Sequence, residues 1–441
     1  VFGPSLTFVD SLVESGEVVP RHGSGATADR KVGNDKWVFT EWTERLEHLF
    51  PFVEYALPSV SYWEEQAHVR FLSPEEERPA KMVAVPKTRT TPRLIAEEPT
   101  CMQYMQQSIA RPLMDSIEDC NLAGSFTGFT EQWPNQAMAQ IGSEDGTLAT
   151  LDLSEASDRV GNWMVEVLFE DFPWFLEAIQ ATRSRSIQLP SGEVFPLRKF
   201  ASMGSAMTFP IEAIVFTAIT LEAVLRSQGR PITKRSLRAL RDKVRVYGDD
   251  IIVPTDSAET VIESLEMFGL KVNRHKSFWN GEFRESCGKE YWNGYDVSIT
   301  RFRKPAPSSR RDVENIVSWV KTRNLFSDDL VWTNTVRSLD ESLEALLGFF
   351  PWVQPTSVLL GRTRPDGLYQ VDGVKTGGTQ SPYAKGWVVR EVLRKQPLDG
   401  HAALLKCLLT VVGMQDVDEK HLQRGGRPID ASITLSVARP F

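Results

Sequence analysis

Tyr247-Gly248-Asp249-Asp250 stands between two short β-branched runs, Val244-Arg245-Val246 and Ile251-Ile252-Val253. Apolar residues alternate into a tight glycine turn and out again, the pattern of a β-hairpin with two carboxylates at its tip. A hairpin tip is rigid, and adjacent aspartates there repel each other unless a cation lies between or beside them. Hard oxygen ligands held in this way suit a divalent metal. A plain hairpin with Gly-Asp at its turn fits the same four residues, so the remaining sequence has to decide.

Length allows a large core and roughly two or three subdomains in these 441 residues. Hydrophobic content of 41% and charged content of 24% are ordinary for a globular protein. Read as a string, the chain offers no apolar run near the roughly 18 residues of a bilayer span, so no membrane partner is expected. Val1-Phe2-Gly3-Pro4 has neither an initiator Met nor the layout of a signal peptide, which reads as a trimmed or processed chain. Cys101, Cys120, Cys287 and Cys407 are scattered and form no CxxC pair. That disfavours a zinc cluster or a disulfide framework and favours a reducing cytoplasm. Six histidines without an HExxH string give a zinc protease no support.

The net charge of −8 is awkward for a nucleic-acid partner, because phosphate binding leaves a basic footprint. Locally the balance reverses. Lys81, Lys87, Arg89, Arg93 and Arg111 face only Glu97 and Glu98 in their stretch. Between Arg301 and Arg323 the basic residues again outnumber Asp312 and Glu314. An acidic shell around basic channels reconciles the two facts; ordinary solvated charge is the plainer alternative.

No internal repeat or low-complexity tract is present. Arg303-Lys304-Pro305-Ala306-Pro307-Ser308-Ser309 is the nearest to a linker. Beyond it the pattern is mostly helical, as at 313–323 and 340–349, with turns at Pro351 and Gly377-Gly378. Glu144-Asp145-Gly146 turns into a buried strand, Leu148-Ala149-Thr150-Leu151-Asp152-Leu153, that ends on an acid. A second hairpin is expected over 187–197 and a buried helix over 206–223. Asp256 or Ser257 is expected to cap a helix whose inner face carries Val261, Leu265 and Phe268. Strands and helices alternating around acidic strand ends predict an α+β domain.

Further strings carry chemistry. Asp152 and Asp158 bracket Leu153-Ser154-Glu155-Ala156-Ser157 at the end of the expected strand. Strand-end carboxylates from two places, Asp152 and Asp249, suit a pair of metal ions for phosphoryl transfer; Asp158 as a simple helix cap is the alternative. Ser202-Met203-Gly204-Ser205-Ala206-Met207-Thr208-Phe209-Pro210-Ile211-Glu212 puts small residues before a long apolar helix. There a backbone approaches a ligand closely, or a helix is merely capped. Val85-Pro86-Lys87-Thr88-Arg89-Thr90-Thr91-Pro92-Arg93 reads as an extended basic segment, suited to a triphosphate or only to solvent. Lys276, in Asn273-Arg274-His275-Lys276-Ser277, is a candidate proton donor to pyrophosphate or a surface lysine.

In chain order these strings are an electropositive loop, an acidic strand end, a glycine-serine helix start, an Asp-Asp hairpin and a lysine turn. That is the order of motifs F, A, B, C and D in the palm of an RNA-dependent RNA polymerase. Phe283-Arg284-Glu285-Ser286-Cys287-Gly288-Lys289-Glu290-Tyr291, followed by Gly294-Tyr295-Asp296-Val297, resembles the primer-grip region of the replicases of leviviruses, the single-stranded RNA bacteriophages. Arg21-His22-Gly23 with Gly25-Ala26 and Gly33-Asn34 also resembles that family, and the likeness runs from about Arg21 to Arg303.

The resemblance implies a right-hand polymerase with an antiparallel palm sheet flanked by helices. Fingers would occupy mainly 1–149, palm 150–302 with a fingers insertion near 170–200, and thumb 303–441. It implies RNA-directed RNA synthesis from ribonucleoside triphosphates on a single-stranded template, with primer-independent initiation, in the cytoplasm of an infected bacterium. Two Mg2+ ions, replaceable by Mn2+, would sit on Asp152 and Asp249, with Asp250 nearby. Asp158 would read the ribose 2′-hydroxyl, helped by Ser205 and Thr208. Lys87 and Arg93 would hold the triphosphate, Lys276 would be the general acid, and Arg89, Gly204 and Arg284 would touch RNA. Host translation elongation factors Tu and Ts and a ribosomal protein enter as partners by the resemblance alone. Glu212 departs from the Asn of many other polymerases, and Ser205-Ala206 from the Asn-Gly frequent in this family, which leaves sugar selection open. A reverse transcriptase, a non-catalytic RNA-binding relic and a metal-dependent nuclease are the rival readings.

Overall fold

A computed structural model describes residues 1–86, 92–327, 330–375, 380–391, 397–410 and 431–441. Lys87 and Arg89, and the turn expected at Gly377-Gly378, lie outside the described residues. The chain divides into two compact units, Val1–Ser298 with Gln396–Val411, and Ile299–Lys395 with Val412–Phe441.

The first unit is built around a three-stranded antiparallel sheet of Leu148–Asp152, Asp250–Pro254 and Arg245–Tyr247, with Asp250–Pro254 in the middle. Successive side chains of a strand point to opposite faces. Ala149, Leu151, Ile251 and Val253 accordingly join the main core, whereas Leu148 and Ile252 pack with Ala139 and Tyr291 on the other side. Both faces are buried, which is why Leu148–Asp152 and Asp250–Pro254 read as near-continuous apolar runs, while the edge strand Arg245–Tyr247 alternates.

On the main-core face lie the helices Thr208–Ser227 and Ala258–Met267. Thr208–Ser227 corrects the sequence expectation on membrane spans, since by length and composition it is apolar enough to cross a bilayer. Within the fold, however, 83% of its most apolar window is buried, so it serves as the central core helix. Ala258–Met267 departs from expectation in one residue. Its inner face is Val261, Ile262 and Leu265, while Phe268 is exposed just past the helix end. The opposite face of the sheet is covered by Trp133–Asp145 and by a small sheet of Phe283–Ser286, Lys289–Trp292 and Tyr295–Asp296.

A second four-stranded sheet contains the hairpin Ala80–Pro86 with Pro92–Glu97, joined to Ser186–Gln188 and Val194–Pro196. The helix Thr100–Asp119 follows that hairpin and is buried along most of its length.

The second unit has its own core, with the helices Val313–Phe326 and Thr333–Leu347 over a sheet. The helices expected at 313–323 and 340–349 are present as these two, but the expectation missed the sheet. Ser381–Glu391 is a long strand that pairs with Leu359–Leu360, Gly373–Lys375 and Ala431–Ala438. Lys385-Gly386 breaks its apolar pattern, so the strand is stabilised by partners distant in sequence and leaves little local signal. The helix Gly400–Thr410 returns to the first unit, where Lys406 Nζ donates to Asn34 Oδ1 at 2.7 Å.

Candidate active site

Three aspartates meet at one end of the central sheet. Asp152 ends its strand directly opposite Asp250, which in turn pairs with Tyr247 across the hairpin. Gly248 and Asp249 form the two-residue turn. Gly248 has φ +58°, and a Cβ there would lie 2.7 Å from the Phe209 ring. The turn therefore needs glycine both for its left-handed backbone and for its closeness to the core helix. Tyr247 anchors the hairpin from beneath, donating from its hydroxyl to Phe129 O at 3.1 Å.

Each carboxylate has a different setting. Asp249 is exposed at the tip. Asp152 is half-buried and accepts from Asn273 Nδ2 at 2.9 Å. Burial raises its pKa, the Asn273 hydrogen bond opposes that, and Asp249 raises it further. Asp250 is raised to about 6, first by burial and then by Asp249, and it accepts from Ser286 Oγ at 3.4 Å. No three acidic, histidine or cysteine side chains among the described residues close into a ready-made metal cage. Magnesium needs no such cage, since it keeps several waters and binds through one or two carboxylates plus substrate phosphates. Partly desolvated carboxylates that repel one another, with only oxygen donors at their tips, fit such an ion.

Behind the hairpin, Glu212 is buried, and its Oε2 has no hydrogen-bond partner. Burial, then Asp249 and Asp158, push its pKa up to about 8. The sequence flagged this residue only as a departure; the fold places its Oε1 3.5 Å from where a side chain on Gly248 would begin. Asp158 is the exposed residue of the one-turn helix Ala156–Arg159 and is ion-paired with Lys199. Ser205 and Thr208 are buried at the start of the core helix, and Thr208 Oγ1 donates to Ser202 O at 2.7 Å.

Arg93 is exposed on its strand, opposite Val85. Lys276 is mostly solvent-facing, with Nζ 4.0 Å from Glu285 Oε1.

One RNA-contact expectation is corrected. Arg284 is 1% exposed, and it donates to the carbonyls of Leu148 at 2.6 Å, Gly281 at 2.8 Å and Phe283 at 2.7 Å. A guanidinium engaged in this way braces the sheet and has no face left for RNA. Gly204 is exposed, at φ +125°, and only its Cβ direction is closed, since a Cβ would sit 2.0 Å from Ala96 O. It serves as a joint between the 202–207 loop and the Pro92–Glu97 strand, sealed by Ala96 N donating to Met203 O at 2.7 Å.

Gln106 completes this joint and went unnoticed in the sequence. Fully buried, it donates from Nε2 to Thr182 O at 2.9 Å and accepts from Ala206 N at 3.0 Å. Glu98, hydrogen-bonded to Ser184 and Gln106, is pushed up to about 7 by burial. Gln103 and Gln106, three apart among apolar residues of one helix, were the available signal, as was Asn273 close before Lys276. A cavity of about 460 Å3 near Arg45, His48 and Arg185 is lined by Glu44 and Glu177 and by none of Asp152, Asp249 and Asp250.

An acidic hairpin beside an acidic strand end, on an antiparallel sheet flanked by helices, defines an α+β fold of the polymerase-palm class. A family model described as RNA replicase, beta-chain, matches residues 56–318, and the chain belongs to that family. The chain is 32% identical over 387 residues to the RNA-directed RNA polymerase subunit beta of Qbeta virus (strain MX1), covering 85% of this chain and 59% of that protein. It is 35% identical over 225 residues to the corresponding subunit of Enterobacteria phage SP, 51% of this chain and 36% of that one. Against the RNA-directed RNA polymerase beta chain of Escherichia phage MS2 the identity is 32%, over 50% of this chain and 37% of that one. The chain thus spans well under two thirds of the length of these relatives. Among solved structures, the RNA-dependent RNA polymerase of a human picorbirnavirus aligns at 14% identity and TM-score 0.42, covering 60% of this chain and 55% of that one.

Proposed function

We propose that the chain is the catalytic part of an RNA-directed RNA polymerase that copies the genome of a single-stranded RNA bacteriophage. The observation that carries this reading is the register Asp152 opposite Asp250, with Asp249 at the adjoining turn. In the reaction, the 3′-hydroxyl oxygen of RNA attacks the α-phosphorus of a ribonucleoside triphosphate. The bond to the β-phosphate oxygen breaks and pyrophosphate leaves.

Asp152 and Asp249, with Asp250 behind them, would hold magnesium or manganese, which when bound neutralises the triphosphate and acidifies the attacking hydroxyl. The other roles belong to this chain's own side chains. Arg93, exposed on its strand, offers charge-assisted hydrogen bonds to phosphate oxygens. Lys276 Nζ, near Glu285 and open to solvent, gives a proton to the leaving pyrophosphate. Asp158 accepts from the ribose 2′-hydroxyl once Lys199 yields its carboxylate.

In this reading the first unit carries fingers and palm, the second the thumb, and initiation is primer-independent. The setting is the cytoplasm of a bacterial host, where elongation factors Tu and Ts and a ribosomal protein would assemble with it.

Incorporation of labelled ribonucleotides on single-stranded RNA with magnesium tests this. Wild type synthesises and Asp249→Asn does not, while RNA affinity stays within a few-fold. Synthesis by both variants would remove the hairpin from the chemistry. Silence from both, even with bacterial extract added, would leave only an RNA-binding relic.

A further inference from the structure

The second unit opens on a row of rings that nothing in the catalytic reading uses. Phe302 is 49% exposed, with its centroid 5.2 Å from Trp319 and 6.3 Å from Phe326. Trp332 continues the row, 5.1 Å from Phe326. These rings meet at 41–51°, so each leans on the next and leaves ring surface open. Trp319 Nε1 donates to Lys304 O at 3.1 Å, which ties the Phe302 segment to the helix Val313–Phe326.

Charge distinguishes among possible occupants. Arg301 and Arg303 flank Phe302, both exposed and without a carboxylate partner among the described residues. Nearby acids are engaged elsewhere. Lys304 holds Glu314 at 2.8 Å, Ser308 and Ser309 hold Asp312, and Arg323 holds Asp340 at 2.7 Å. Asp328 and Asp329 lie outside the described residues. An apolar protein surface would cover the ring but strand two guanidinium groups away from water. An acidic peptide would satisfy the arginines and leave the ring bare. Single-stranded RNA satisfies both, with phosphates on the arginines and a base on the ring.

We propose that Phe302, backed by Trp319 and Phe326 and flanked by Arg301 and Arg303, is a stacking platform for an unpaired RNA base. It shares no residue with the carboxylate site.

The test uses the whole chain without triphosphate or metal, so a failure of the polymerase reading does not touch it. The probe is a roughly 12-nucleotide oligouridylate carrying 4-thiouridine. Photo-crosslinks are expected on the peptide containing Phe302. Phe302→Leu, which keeps the apolar packing, should weaken binding about tenfold with its salt dependence unchanged, and Phe302→Trp should restore it. Replacing Arg301 and Arg303 together by Ala should instead flatten the slope of log affinity against log salt by about 1.4, two phosphates at about 0.7 each. Wild-type affinity in Phe302→Leu, crosslinks confined to other peptides, or loss of self-association with RNA binding intact would each overturn the proposal.

Discussion

Asp249 illustrates how one side chain sets the condition of its neighbours. Its charge raises the pKa of Asp152, Asp250 and Glu212, in each case after burial or alongside it. A carboxyl raised above its unfolded value binds more protons in the folded state. Its stability contribution is therefore complete below the unfolded pKa and is lost as pH rises through the folded one. For Asp250 and Glu212 that window runs from about pH 4 to about 6 and about 8 respectively. In EDTA, Asp249→Asn should accordingly be more stable than wild type at pH 8, by on the order of 1 kcal/mol, with the difference fading by pH 5. Thermal unfolding at the two pH values reads this directly. A difference of the same size at both would remove electrostatic repulsion as the cause. The three aspartates were legible in the sequence because each sits at the end of an apolar strand run or in the glycine turn beside one. Glu212 and Arg284 were not, since burial and hydrogen-bond partners decide whether a charged side chain meets ligand or protein, and no spacing rule encodes either.

At the scale of elements, the 202–207 loop and the Pro92–Glu97 strand share one joint, made by Gly204 against Ala96 and by Gln106 reaching Ala206 and Thr182. Gln106→Leu leaves the Ala206 amide and the Thr182 carbonyl without their partner, a cost of about 1–3 kcal/mol for each buried group. In the polymerase reading it should raise the nucleotide KM more than it lowers kcat, with RNA affinity unchanged. Equal losses in all three would mean general destabilisation and not a positioning role. The separate hairpins, strands and helices of this region were legible, because β-branched runs and turn residues act locally. Their joint was not, since nothing local in the Gly204 string names Ala96 as the neighbour a side chain there would meet. The sheet of the second unit escaped for a related reason. Ser381–Glu391 is ordered by Ala431–Ala438, far along the chain, and local pattern is silent on such partners.

For the whole molecule in the polymerase reading, the net charge of −8 makes salt the sharpest probe of how RNA would be held. Binding through local basic surfaces on an acidic chain should fall steeply with ionic strength, at least tenfold between 50 and 200 mM salt for three or more phosphate contacts. A flat response would place the affinity in stacking alone. Arg284 bears on a different matter, the mechanics of repeated addition. By fastening the carbonyl of Leu148 to the 281–283 turn, it locks the first residue of the catalytic strand to the neighbouring hairpin. A polymerase must advance its product by one nucleotide per cycle, and something has to slide. In the polymerase reading, a strand clamped at its origin would make the sheet an anvil, and the travelling parts would be the nucleic acid and the loops that grip it.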